Sequence, residues 1–293
     1  MTTASRTLRH AMQARQAMMV PGAGNALFAR IIQDLGFPAI YVTGAGVANM
    51  KLGVPDLGLS TVTELAEATA SISDVTDLPL IVDMDTGFGN PLNVVRSVRL
   101  LERAGASALQ IEDQVFPKRC GHFTGKEIIP CSEMVEKIKA AVDARRDDDL
   151  QIIARTDARA TEGLDAAIDR ARAYIEAGAS ATFVEAPMSR EELARIPAEL
   201  DVPQFANIVH GGRTPDPGQA ALAGMGFSVA LYANASLQAA IHGAMTALSM
   251  LKEDGSLDRA ASILASFEER QRIVDKARWD MIETRFKAKN GTN

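Results

Sequence analysis

Apolar residues fall in short unbroken runs and not in strict alternation. Eight runs stand out, at residues 18–20, 39–43, 80–83, 108–111, 151–155, 181–184, 204–207 and 227–231. Continuous runs of this kind are what parallel strands buried on both faces require. The segments between them repeat their apolar positions with a helical period, most clearly at 64–73, 94–104, 133–145 and 164–177. Two of these helices run into Ala-Gly-Ala at Gly105 and Gly178, where glycine can take the left-handed conformation that ends a helix. Strands alternating with helices imply βαβ units, and eight units favour a closed (β/α)8 TIM barrel over an open sheet. The expected organisation is a catalytic barrel over residues 1–255 and a C-terminal helical extension over 256–293. The eighth barrel helix is assigned to 235–251. One further long helical pattern, 259–286, carries Ile263, Phe267, Ile273, Val274, Met281, Ile282 and Phe286. That stripe needs cover, from a neighbouring subunit or from the base of its own barrel.

Composition narrows the function classes. Of 293 residues, 47% are hydrophobic and 23% charged, enough apolar material for a large core. A net charge of −6 argues against binding nucleic acid or anionic lipid through a broad electrostatic field. Two cysteines make no disulfide framework, the N-terminus lacks the apolar run of a signal peptide, and no stretch is long enough to span a membrane. A cytoplasmic enzyme is the expectation.

Barrel chemistry sits at the C-terminal ends of the strands. Those positions hold Thr43, Gly44 and Ala45 after the second run, Asp83 and Asp85 at the third, Glu112 and Asp113 at the fourth, Arg155 and Asp157 at the fifth, Glu185 at the sixth and Asn207 at the seventh. Asp56 lies in the second loop. Residues two apart on a strand face the same way, so Asp83 and Asp85 both aim into the mouth, and the following Thr-Gly-Phe-Gly permits a tight turn. Two carboxylates about 4 Å apart repel by roughly 4 kcal/mol at an effective dielectric near 20. Such a cluster calls for shared protons or a hard cation, and Mg2+ suits oxygen ligands. The competing expectation is that these acids serve as helix N-caps.

The segment 117–126, PKRCGHFTGK, is polar and basic with two glycines, as in a loop that closes over substrate. Lys118, Arg119 and His122 around Cys120 would lower its thiol pKa, leaving it as an acid–base, a nucleophile or a surface thiol. Cys131 has no such surroundings. No lysine ends a strand, which disfavours Schiff-base chemistry, and the glycine pairs 22/24 and 44/46 lack the third glycine of a dinucleotide fingerprint.

Taken together, YVTGAGVA (41–48), GVPDLG (53–58), DMDTGFGN (83–90), EDQ…PKRCGH (112–122), IARTDA (153–158), FVEAP (183–187) and AN (206–207) resemble the isocitrate lyase/phosphoenolpyruvate mutase superfamily, in particular its methylisocitrate lyase and 2,3-dimethylmalate lyase branch. The resemblance implies a lyase that cleaves a carbon–carbon bond of a di- or tricarboxylate. It implies Mg2+, with Mn2+ as a possible substitute, on Asp85 directly and on Asp83, Asp56 and Glu112 through water. It implies a homotetramer exchanging its final helix. Thr43, Gly44, Ala45 and Arg155 would bind the keto-acid carboxylate, and Gly121, His122, Glu185 and Asn207 the second fragment. Cys120 would donate the proton, and Tyr41 is the candidate base. Oxaloacetate hydrolysis or decarboxylation, and phosphonate mutation, are the alternatives. Methylisocitrate lyases usually carry Arg where this chain has Phe123, and Thr-Glu where it has Val209-His210, so a four-carbon or alkylated four-carbon diacid is expected over a tricarboxylate.

Overall fold

The computed structural model describes residues 3–118, 125 and 127–287. The chain forms two compact units, Met1–Leu237 and Gln238–Asn293. The first holds eight parallel strands: β1 (Met18–Ala23), β2 (Ile40–Val42), β3 (Leu80–Asp83), β4 (Ala108–Glu112), β5 (Gln151–Thr156), β6 (Ala181–Val184), β7 (Phe205–Asn207) and β8 (Val229–Tyr232). Each pairs with its neighbour in sequence except β6 with β7, and β1 also pairs with β8. Between β6 and β7 a single parallel bridge, Thr182 to Gln204, brings the ends of the sheet together. The result is the expected TIM barrel, nearly closed.

Helices follow the strands: α1 (Ala4–Gln13), α2 (Ala26–Asp34), a one-turn α3 (Gly44–Val47), α4 (Val62–Ser73), α5 (Pro91–Arg103), α6 (Cys131–Ala144), α7 (Leu164–Glu176), α8 (Arg190–Glu199), α9 (Gln219–Met225) and α10 (Ala235–Asp254). Their starts are written in the sequence. Thr61 and Glu64 form a reciprocal capping box on α4, as do Asn90 and Asn93 on α5, where Pro91 takes the first turn. Gly105 and Gly178 adopt positive φ (104° and 105°) where α5 and α7 end, as expected.

Strand parity sorts the side chains into two populations. Val82, Leu109, Ile111, Ile152 and Ala154 face the helices in one apolar cluster. Tyr41, Ile81, Ala108, Ile153, Phe183, Phe205 and Leu231 fill the barrel interior, joined by Leu8 and Met12 of α1. Continuing the inward parity toward the strand ends gives Asp83, Glu112, Arg155, Glu185 and Asn207. A solid apolar floor therefore lies under a polar rim.

In the second unit the long helical pattern 259–286 is broken. A 3-10 turn (Asp258–Ile263) precedes α11 (Phe267–Ile273) and α12 (Lys276–Phe286). Ser266 starts α11 by capping Glu269 N–H, and Asp275 takes a left-handed φ of 56° that ends the run. Phe267, Trp279, Met281 and Phe286 are exposed. No described helix is long and apolar enough to cross a membrane.

Candidate active site

The rim encloses a cavity of about 430 Å3 of empty space, its open mouth included, walled by Tyr41, Thr43, Ala45, Asp56, Asp83, Glu112, Lys118, Arg155, Asn207 and Asn234 together with the apolar Phe183, Leu231 and Ala233. None of Asp56, Asp83, Asp85 or Glu112 caps a described helix; that work falls to Thr3, Asn25, Thr43, Thr61, Asn90, Ser189 and Ser266. Asp83, Asp85 and Glu112 are buried.

β3 ends in the turn the sequence anticipated, with positive φ at Asp85, Gly87, Phe88 and Gly89. Asp83 Oδ1 accepts from Gln110 Nε2 (3.2 Å) and from the Asp85 amide (3.3 Å), and its Oδ2 accepts from Gly44 N–H (3.3 Å). A Cβ at Gly44 would stand 3.1 Å from Asp83 Oδ2 and 3.2 Å from Asp85 Oδ1, so glycine lets the α3 turn press against both acids. This modifies one expectation. The Thr43 amide donates to Ala23 O and the Gly44 amide to Asp83, so those two amides are engaged, while Thr43 and Ala45 line the cavity.

The main surprise is Lys118. Its ammonium is buried in the acid cluster, its Nζ 2.5 Å from Asp56 Oδ1 and 2.8 Å from Asp85 Oδ1, a placement the sequence did not anticipate. Burial pulls its ammonium pKa down, but Asp85 and Asp56 overcome this and hold it well above the usual lysine range. The opposing acids remain strained. Burial pushes Asp85 up to about 6, with Lys118 opposing, and pushes Glu112 well above the ordinary carboxylate range, with Arg155 opposing.

Arg155 carries the other positive charge. Its Nε and Nη2 form a fork on Asp157 (3.0 and 3.1 Å), Glu112 Oε2 lies 3.3 Å from Nε, and Glu185 Oε2 lies 3.7 Å from Nη1. The guanidinium lies over the Phe183 ring at 5.2 Å. Asn207 Nδ2 donates to both oxygens of Glu185 (3.5 and 3.4 Å). Lys118 thus pairs with Asp56 and Asp85, while Arg155 is shared among Glu112, Asp157 and Glu185.

Tyr41 is at the cavity wall but does not suit the role of base. Its hydroxyl donates to Gln110 Oε1 at 2.6 Å, and burial, then Asp83, raise its pKa well above that of a free phenol. It steadies Gln110, which in turn holds Asp83. Cys120, Gly121, His122 and Phe123 lie outside the described residues.

Could the rim hold a divalent ion? Asp85 Oδ1 and Glu112 Oε1 are buried without an aligned hydrogen-bond donor among the described residues, Asp85 having only its ion pair to Lys118. Hard, under-satisfied oxygen donors with raised pKa values fit a hard cation. Among the described residues no three His, Cys, Asp or Glu side chains stand close enough to ligate one directly, so an ion here would keep much of its water.

Comparison with known proteins decides the family. A model described as phosphoenolpyruvate phosphomutase matches residues 8–252. The chain belongs to the phosphoenolpyruvate phosphomutase family. Within it, the chain is 43% identical to a 2,3-dimethylmalate lyase of Eubacterium barkeri over 269 residues, covering 92% of this chain and 93% of the relative. It is also 43% identical to a 2-methylisocitrate lyase of Bacillus subtilis, covering 85% and 81%. A solved phosphonopyruvate hydrolase in complex with oxalate and Mg2+ superposes with a TM-score of 0.88 at 29% identity, over 97% of this chain and 99% of that one. Relatives in this family are thus named for reactions of small carboxylates, and one of them is solved with oxalate and Mg2+.

Residues that the sequence left unassigned also shape the site. Gln110 sits two positions before Glu112 on the inward face of β4, and that parity could have found it. Asn234, past the end of β8, carried no such signal.

Proposed function

We propose that this protein is a Mg2+-dependent carbon–carbon lyase that splits a 2-hydroxy dicarboxylate, of the alkylmalate type, into a 2-keto acid and a second carboxylate. The observation that carries this is the pairing, on one rim, of a buried acid cluster, in which Asp85 Oδ1 and Glu112 Oε1 lack an aligned hydrogen-bond donor among the described residues, with a fixed guanidinium. Asp85 would hold the ion directly and Asp56, Asp83 and Glu112 would hold its waters; Mn2+ would substitute. When bound, the ion supplies charge stabilisation to the 2-oxygen and neighbouring carboxylate during cleavage. Arg155, with Thr43 and the α3 turn, binds the keto-acid carboxylate, a charge-assisted contact made stronger by burial. Glu185 orients Asn207 toward the second fragment, whose enolate-like carbon takes its proton from Cys120, with Gly121 and His122 beside it. The apolar wall of Phe183, Leu231 and Ala233 suits an alkyl substituent better than a third carboxylate. Two cysteines, too few for a disulfide framework, support a reducing, cytoplasmic location, and the exposed aromatic residues of the second unit support self-association, with a homotetramer as the state the family resemblance implies.

Malate, 2,3-dimethylmalate, 2-methylisocitrate, isocitrate and oxaloacetate should each be offered with Mg2+ while keto-acid formation is followed. Cleavage of an alkylmalate, abolished by a chelator and restored by Mg2+, is expected. Turnover of oxaloacetate alone would replace lyase by hydrolase or decarboxylase.

A further inference from the structure

Glu112 and Asp113 are consecutive at the end of β4, so one faces the cavity and the other the surrounding helices. Asp113 is fully buried there and its carboxylate is saturated. Oδ2 accepts from Thr156 Oγ1 (2.7 Å) and Tyr174 Oη (2.8 Å), and Oδ1 accepts from the Asp157 amide (2.9 Å). Arg170, 3.6 Å from Oδ2, also donates to Ile129 O (3.0 Å). Asp113 therefore grips the two residues that follow Arg155 on β5. Asp157 in turn holds Arg155 with the only two-pronged bond among the described contacts of that guanidinium.

This matters because Arg155 has a choice. Glu112 and Glu185 also lie within ion-pairing distance, and a guanidinium among three carboxylates turns to whichever is best fixed. With Nε and Nη2 committed to Asp157, Nη1 is left on the far side. Neither Asp113 nor Asp157 lines the cavity itself; Asp157 reaches it through Arg155.

We propose that Asp113 is a positioning residue that, through the Thr156 hydroxyl and the Asp157 amide, sets the direction in which Arg155 presents its guanidinium to a substrate carboxylate. This rests on Arg155 as the carboxylate-binding group, as argued above. Tyr174 is part of the same device, since its hydroxyl fixes the Asp113 oxygen that Thr156 shares.

Oxalate, a planar dicarboxylate, is a suitable probe, titrated calorimetrically into the full chain with Mg2+. Asp113→Asn is expected to weaken oxalate binding about tenfold and to leave the affinity for Mg2+ alone unchanged. It should cost nothing further in an Arg155→Ala background, because the two substitutions then remove one and the same interaction. Tyr174→Phe should give a smaller loss with the same pattern, and it decides the matter if Asp113→Asn does not fold. Unchanged oxalate affinity in both variants, while Arg155→Ala weakens it, would overturn the positioning role. So would a parallel loss of Mg2+ affinity or additive losses with Arg155→Ala, which mark a general loosening of the rim. If Arg155→Ala itself binds oxalate like the wild type, the assignment of Arg155 fails first and the role of Asp113 falls with it.

Discussion

Asp85 and Lys118 show how finely the rim is balanced. Asp85 holds its proton more tightly folded than unfolded, being pushed up to about 6 by burial. That carboxyl therefore favours the folded state fully below its unfolded pKa of about 4, and the contribution is lost as pH rises through the folded value. A divalent ion competes with that proton. The rise in Tm on adding Mg2+ should be small near pH 5 and grow toward pH 7; a constant rise across that interval would remove Asp85 from the metal site. Lys118 competes for the same oxygen, 2.8 Å away. Lys118→Met is expected to bind Mg2+ about tenfold tighter by isothermal titration, since a unit positive charge leaves the immediate surroundings. Asp83 and Glu112 were legible because strand parity brings them to one mouth, whereas Asp85 reaches it through the left-handed turn after β3 and Asp56 through a loop. Lys118 was not, because its entry into the cluster depends on how a loop folds back, and the case for a metal had treated the acids as lacking any internal cation.

Local signals were strongest where backbone and side-chain demands agree. Strands buried on both faces and helices with capping boxes were readable to within a few residues. The C-terminal pattern was not, because the left-handed turn at Asp275 leaves apolar periodicity intact while interrupting the helix. The α3 turn carries a prediction of its own. Gly44→Ala places a methyl group against Asp83 and Asp85 at a distance that forces one to move. Metal-dependent activity is expected to fall at least about tenfold while Tm changes by no more than a few degrees, since only the rim is displaced. Full activity in this variant would show that the turn need not touch the acids.

Barrel and family were both within reach of the sequence, through eight runs at regular spacing and motifs that fall at their ends. Assembly is a property of the whole molecule and is argued from what the second unit leaves bare. Phe267, Trp279, Met281 and Phe286 are each more than half exposed. Burying such side chains contributes roughly 1.5–3 kcal/mol each. Such burial argues for self-association; on the tetramer that the family resemblance implies, light scattering should give a mass near four copies of the 31.3 kDa chain, and removal of residues 265–293 should reduce it. A full-length monomer at micromolar concentration would exclude the tetramer.

The opposite facing of Glu112 and Asp113 has an implication for how this barrel can vary. Their duties are separated by a single peptide bond, so a one-residue insertion or deletion within β4 would swap them, sending the scaffold acid into the cavity and the cavity acid among the helices. In a library of single-codon indels, β4 should tolerate none. Length changes beyond the bridge between Gln114 and Ile128 keep that parity and leave both acids where they are.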